Sequence, residues 1–312
     1  MRRGGRVLGW LWLAVVAALL VLRFVDLTGP VPMVQSGLPL AGLSLVLLVL
    51  IAVLARSWVL GFSAALLGVP FAVLALPWWT GDSEAHRDDD VVVLTANLLY
   101  GRAELAEVEE QVERLGVDAL VLLEVTEAGE RQLAGTGIGE LLPRRSGTVR
   151  EDAGGTLVLT ADPHTVLEDP PRSAFEQVPV RVESAAGEWT LLAAHPHPPQ
   201  VTTSQQWRED LGWLSLWTQN QPEDVPLVVA GDFNASQAHP AFREVAAGMD
   251  DAHRLVGDGW VRSWPVDGPV PRFVQLDHVL SRGVTVVDAG TMDLDGSDHR
   301  SVWARLRLPS AG

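Results

Sequence analysis

Residues Val225–Asn234 read VPLVVAGDFN, an apolar run of strand length cut short by a glycine and followed at once by an acid and an amide. Six residues are enough for a strand and too few for a helix, and the flanking Pro226 and Gly231 bound it. Asp232 and Asn234 therefore stand at the end of a strand. Moving outward, the same grammar recurs. Val91–Ala96 (VVVLTA) is followed by Asn97, Ala119–Leu123 (ALVLL) by Glu124, and Trp189–Ala194 (WTLLAA) by His195. Thr156–Leu159, Val178–Val182, Val274–Leu280, Val284–Val287 and Val302–Leu306 are further strand candidates. Helical patterning falls on Ala103–Leu115, Thr203–Trp217 and Pro240–Ala247. Many strands with few helices predict two packed sheets with helices outside, and strand ends of packed sheets share an edge on which polar groups can converge. Asp277 and His278 (QLDHVL) and Asp298 and His299 (GSDHRS) complete the polar set. Any one of these residues is explained by a turn or a surface hydrogen bond, but their joint placement is not.

Charge divides the 312-residue chain in two. Residues 1–80 carry five Arg and one Asp, so of the net charge of −16 they hold +4, and residues 81–312 hold −20. That surface repels a polyanion and argues against nucleic acid as partner. The absence of Cys excludes disulfides, zinc–thiolate sites and a thiol nucleophile. The absence of Lys excludes Schiff-base chemistry and a Walker-type phosphate lysine.

Three apolar runs, Val7–Val25, Gly37–Ala55 and Val59–Trp79, are 19 to 21 residues long and predict three membrane helices over residues 1–80. A buried helical hairpin or a signal peptide is the plainer alternative, but the first run lacks a small-x-small cleavage site and two more runs follow it. Trp10, Trp12, Trp58, Trp78 and Trp79 fall near run ends, as interfacial indoles do. Arg2, Arg3 and Arg6 precede the first run and Arg56 joins the second to the third, which predicts that both segments are cytoplasmic and that everything after the third run lies outside. Arg23 is the contrary charge. Residues 81–90 read as an acidic linker and 91–309 as the catalytic domain.

The ordered motifs TANLLY, LLEVT, AHPHPP, GDFNA, QLDHVL and SDHRS resemble the endonuclease/exonuclease/phosphatase superfamily, from about Val91 to Leu308. The resemblance implies a four-layer αββα sandwich (DNase I-like), a divalent metal, Mg²⁺ or Mn²⁺, and hydrolysis of a phosphate ester or anhydride. It implies Glu124, Asn97 and Asp298 at the metal. Asp232 would orient or deprotonate the attacking water, with Asn234 beside it. His299 would meet the phosphoryl group with its ring fixed by Asp277, and His195 would contact phosphate or protonate the leaving group. His197 reads as loop-shaping, His278 as packing, and Arg272 and Arg300 as either phosphate clamps or salt-bridged groups. Gly154 and Gly155 read as a turn into a strand; His86, His164, His239 and His253 as solvated; Trp207, Trp213 and Trp217 mainly as helix packing.

Such a domain on the outer membrane face meets lipid-borne phosphate at high effective concentration. Three apolar runs followed by this domain also resemble membrane-bound members associated with vancomycin and teicoplanin resistance, implying undecaprenyl pyrophosphate or a related cell-wall lipid as substrate; another membrane phospholipid is the wider expectation, with the bilayer as partner, and the sequence points to no protein partner. An extracytoplasmic DNA or RNA nuclease is the alternative, and a silent binding domain a more distant one.

Overall fold

The computed structural model describes residues 3–266 and 268–309. Four helices come first: α1 (Arg3–Leu22), α2 (Val31–Ser36), α3 (Leu38–Leu54) and α4 (Trp58–Ala75), the last continued by a 3-10 turn over Leu76–Trp78. Leu13, Val16, Leu45, Ala52, Leu60 and Ala64 pack α1, α3 and α4 together. Their other faces leave residues such as Leu8, Leu47, Leu54, Phe62 and Leu66 exposed. By length and composition two helices suffice to cross a membrane, Gly4–Leu22 and Trp58–Trp78. This corrects the expected three. The middle run forms 17 helical residues, roughly 26 Å at 1.5 Å per residue, short of a typical hydrocarbon core. The residues before it are spent on α2 and on the break at Gly37. Arg2 lies outside the described residues.

The rest of the chain alternates strands and helices: β1 (Val91–Asn97), α5 (Leu105–Leu115), β2 (Ala119–Leu123), α6 (Glu127–Leu133), α7 (Ile138–Leu141), β3 (Arg144–Thr148), β4 (Thr156–Thr160), β5 (His164–Val166), β6 (Val178–Ser184), β7 (Gly187–Ala194), α8 (Ser204–Gln219), β8 (Leu227–Asp232), α9 (Pro240–Val245), β9 (Asp250–Asp251), α10 (Ala252–Val256), β10 (Asp277–Arg282), β11 (Thr285–Met292) and β12 (Ser301–Arg307). One sheet runs β11-β12-β1-β2-β4-β3 and the other β5-β6-β7-β8-β10-β9. Among the described residues only β1/β2 and β7/β8 are parallel pairs, and each is joined by a helix-containing crossover.

Every residue of β1, β2 and β8 is buried because both faces are covered. Between the sheets, Val91, Val93 and Val121 meet Val180, Val228 and Ala230. Outside the first sheet, Val92 and Leu94 meet Leu105, Val108 and Val112, the apolar stripe of amphipathic α5, which Gly116 ends at φ 63°. Outside the second, Leu192 and Val229 meet Trp207, Leu211 and Leu214 of α8 and Phe242 of α9. The layers are therefore helix, sheet, sheet, helix. Residues 81–90 have no helix or strand but are tied to the domain: Glu84 N–H donates to the Val287 carbonyl (2.8 Å), and Arg307 pairs with Glu84 (2.7 Å) and Asp90 (2.8 Å).

Candidate active site

Register brings the site together. Parallel pairing sets Asn97 beside Leu123, so Asn97 and Glu124 leave the first sheet at one edge. In the second sheet Ala194 pairs with Gly231, aligning His195 with Asp232, and antiparallel pairing sets Asp277 directly opposite Asp232. The turn before β12 adds Asp298 and His299. All eight expected residues meet at this edge.

Asn97 bridges the two sheets: its Nδ2 donates to Glu124 Oε1 (3.1 Å) and to Asp232 Oδ2 (3.2 Å). Glu124 also accepts from the Tyr100 N–H through Oε2 (3.0 Å). Burial raises the Glu124 carboxyl above the ordinary range, against those hydrogen bonds. Glu124 (φ 57°) and Asn234 (φ 49°) both hold left-handed backbone, which costs a non-glycine residue about 1 kcal/mol or more and is the sort of strain found at working sites.

His299 sits between buried carboxylates: Nδ1 lies 2.8 Å from Asp277 Oδ2 and Nε2 lies 3.6 Å from Asp232 Oδ2. Burial alone would lower its pKa, but Asp277 and then Asp232 more than offset this and raise it to about 10, so the ring is an imidazolium. Burial, opposed by the His299 charge and reinforced by Asp277, raises Asp232 to about 7. His195 is the opposite case. Burial, helped by the His299 charge, lowers it to about 3, so its ring is neutral. Gln177 fixes its backbone by accepting from the His195 N–H (3.0 Å) and donating to its carbonyl (2.8 Å). Its Nδ1 is buried without a partner. Asn234 donates from Nδ2 to the Pro196 carbonyl (3.0 Å), and Asp298, a third exposed at its side chain, accepts from Trp264 Nε1 (3.1 Å).

Glu124, Asp232, Asp277 and Asp298 gather four carboxylates around one imidazolium, and their mutual repulsion contributes to the raised pKa of Glu124 and of Asp232. Hard oxygen donors with excess negative charge are what Mg²⁺ or Mn²⁺ takes up, so these residues fit a divalent ion. Asp232, Asp277 and His299 have ligand atoms within 4.8 Å of one another and could hold a metal ion. Both ring nitrogens of His299 face these carboxylates.

Outside the site, His278 packs as expected, between Asp251 Oδ2 (2.8 Å) and the Ala235 carbonyl (3.1 Å). His197 stacks on Phe175 with ring centroids 4.0 Å apart. Arg272 and Arg300 both pair with Asp293, so neither is a free phosphate clamp. A Cβ on Gly155 would meet the Val125 carbonyl at 2.2 Å, confirming a tight turn rather than a ligand loop. Two readings fail: His239 and His253 are fully buried, not solvated. Trp207 is buried and donates to the Asn234 carbonyl (3.1 Å), whereas Trp213 is exposed. Sequence reasoning missed the supporting residues Gln177, Trp264 and Ser297; Ser297 Oγ donates to the Asn97 carbonyl (2.7 Å) and was within reach, because it opens the SDH motif.

Residues 94–299, which include every expected site residue, match the Endonuclease/Exonuclease/phosphatase family. A search of curated proteins finds no match. Among solved structures, D. rerio TDP2 complexed with single strand DNA product is 17% identical, covers 70% of this chain and 99% of its own, and superposes with a TM-score of 0.56. An endonuclease/exonuclease/phosphatase family protein from Bacteroides thetaiotaomicron is 14% identical, with coverage of 72% and 100% and a TM-score of 0.53. The corresponding protein from Beutenbergia cavernae is 18% identical, with coverage of 70% and 72% and a TM-score of 0.53. At these identities the likeness is one of fold. With the match across residues 94–299 and the residues it encloses, the chain belongs to the endonuclease/exonuclease/phosphatase family, whose members are metal-dependent phosphoester hydrolases.

Proposed function

We propose that the protein is a membrane-anchored hydrolase of lipid-borne phosphate, an isoprenoid-lipid pyrophosphate or another membrane phospholipid. One observation carries this reading: the loop that bears Asn234 is fastened to the apolar helices. His239, three residues after Ser236, accepts from the Ser236 N–H at Nδ1 (2.8 Å), which leaves the proton on Nε2 to donate to the Pro32 carbonyl (2.9 Å) at the start of α2. Arg208 with Asp26, and Gly259 N–H with the Trp78 carbonyl (2.7 Å), fasten the same side. The catalytic edge thus stands close to where lipid head groups would lie, and the acidic surface disfavours nucleic acid. An outer-face location belongs to this reading and requires the 17-residue α3 to cross as well as α1 and α4, with Arg56 then on the cytoplasmic side as the positive-inside rule expects.

In this reading Asp232, near neutrality in its pKa, accepts the proton of the attacking water, and Asn97 fixes its carboxylate. His299, protonated and held by Asp277, donates to the phosphoryl oxygens as charge develops on them. His195, neutral at physiological pH, hydrogen-bonds there instead of acting as the acid for the leaving group. A bound divalent ion would neutralise the transferring phosphoryl group.

The test is Mg²⁺-dependent phosphate release from undecaprenyl pyrophosphate by the full chain in nanodiscs, with Asp232→Asn as blank. Release lost in that variant is the expected result. No release, with plasmid DNA or RNA cut by the same preparation, would replace this reading with a nuclease.

A further inference from the structure

A cavity of about 650 Å³ lies between α3, α4 and the domain. It is as large as sites that take small organic ligands. On α3 it is lined from Leu38 to Val49, which at 1.5 Å per residue carries it roughly 17 Å down the helix pair from the domain end. On α4 its wall includes Ala65, Gly68, Ala72 and Ala75, small residues at helical spacing that hollow out one face. These side chains offer no polar group, so the walls suit hydrocarbon.

The domain end of the cavity has a different character. Ser236 and Gln275 line it, the first two residues after Asn234 and the second two before Asp277. Gln275 is buried; its Nε2 donates to the Asp277 carbonyl (3.1 Å), while its Oε1 finds no partner. Arg23 also lines this end, and Arg243, whose Nη2 donates to the Arg23 carbonyl (2.8 Å), and Arg254 are near enough to repel its charge. Arg208, by contrast, is neutralised by Asp26. This gathering of guanidinium groups, in a chain whose residues 81–312 carry a net charge of −20, is complementary to an anion.

We propose that this groove holds the hydrocarbon chain of the lipid phosphate substrate, with Arg23 meeting its anionic head group at the domain end, so that the chain is drawn from between the helices directly toward the catalytic edge. The assignment rests on the lipid-phosphate function proposed above and adds where specificity for a long chain arises. An apolar tail in an apolar slot and an anion beside clustered arginines are two features one such molecule supplies together.

Gly68 gives the decisive variant, because it lines the groove and a Cβ built there meets nothing within 4 Å, so a larger side chain starts into open space. The full chain in nanodiscs is assayed on undecaprenyl and geranyl pyrophosphate. Wild type is expected to favour the long chain, and Gly68→Trp to lower the ratio of kcat/KM between the two by about tenfold or more. Leu66→Trp, on the outward face and 61% exposed, is the control and should leave both rates unchanged. An unchanged ratio in Gly68→Trp overturns the groove while leaving the lipid function standing. Independently of turnover, a polyprenyl pyrophosphate with a diazirine in its tail is crosslinked to wild type. Labelling confined to the α3 and α4 faces of the groove supports the assignment, even if no lipid is hydrolysed and the functional reading falls. Labelling spread over outward residues such as Phe62 and Leu66 overturns it.

Discussion

His299 and Asp277 are joined Nδ1 to Oδ2 at 2.8 Å, with both residues buried and the far side of the ring turned to Asp232. Asp277 heads β10 and His299 lies just before β12, so this pair locks the two sheets together at the catalytic edge. The carboxylate has two tasks: it sets which nitrogen faces the substrate, and it keeps the ring protonated.

Asp277→Asn removes the second task while keeping the shape. Loss of the negative charge lets burial dominate and moves the His299 pKa down from about 10. The protonated form is the active one in this reading, so the alkaline limb of the pH–rate profile should shift to lower pH. The rate at neutral pH should fall by roughly 10²- to 10⁴-fold, the usual range for a lost proton-transfer or oriented-charge group. A profile that keeps its alkaline limb in place would show that Asp277 is only structural.

Metal removal should act on stability as well as rate. EDTA is expected to abolish hydrolysis and Mg²⁺ to restore it. Mg²⁺ should also raise the Tm of the full chain by relieving repulsion among Glu124, Asp232 and Asp298; binding at a hundred times Kd adds about 2.7 kcal/mol. In Glu124→Gln the metal-induced shift in Tm should shrink. A shift of undiminished size in that variant would move the ion to the Asp232–Asp277–His299 group.

Gly231 is the hinge of the opening motif, and the structure explains why it is glycine. Its φ is 152°, and a Cβ would meet the Ala194 carbonyl at 2.0 Å, where β7 and β8 pair. Gly231→Ala should therefore part the two strands that present His195 and Asp232. A loss of several kcal/mol in stability, together with activity, is expected on urea titration; a fully stable, active variant would mean that the strands re-pair without strain.

The elements legible in the sequence were those whose physics is local. β1, β2, β7 and β8 are apolar almost throughout because both faces are covered, and the polar residues that close them mark the edge where chemistry is done. β3 reads RRSGT, largely exposed at the rim of its sheet, and β9 has two residues, so neither carries a hydrophobic pattern. His239 and His253 were misread for a related reason. Each is satisfied by a backbone carbonyl remote in sequence, that of Pro32 for one and Gly290 for the other, and no spacing rule encodes such a partner. The cavity at α3 and α4 was equally hidden, because its walls belong to helices and its end to loops more than 150 residues away.

His239 yields a pH prediction with a definite sign. Its ring is fully buried with both nitrogens committed, Nδ1 accepting from the Ser236 N–H and Nε2 donating to the Pro32 carbonyl. A second proton would break the first of these bonds, and burial lowers the pKa from 6.5 to about 4. The unfolded chain takes up the proton near 6.5 and the folded chain only near 4. Stability from this group is thus complete above 6.5, is lost as pH falls from 6.5 to 4, and changes no further below that. The full loss is about 3 kcal/mol for the folded-state shift of this size. Because the bond joins the domain to α2, the first event on acidification should be separation of the catalytic loop from the helices. His239→Asn keeps an acceptor for the Ser236 N–H but cannot take up a proton, so it should flatten the fall in Tm between pH 6.5 and pH 4. Protection of the Ser236 amide, measured against its intrinsic exchange rate at each pH, should likewise stop falling on acidification in that variant. An identical pH dependence in wild type and variant would show that His239 takes up its proton at the same pH in the folded and the unfolded chain, and would remove it as the acid-labile clasp.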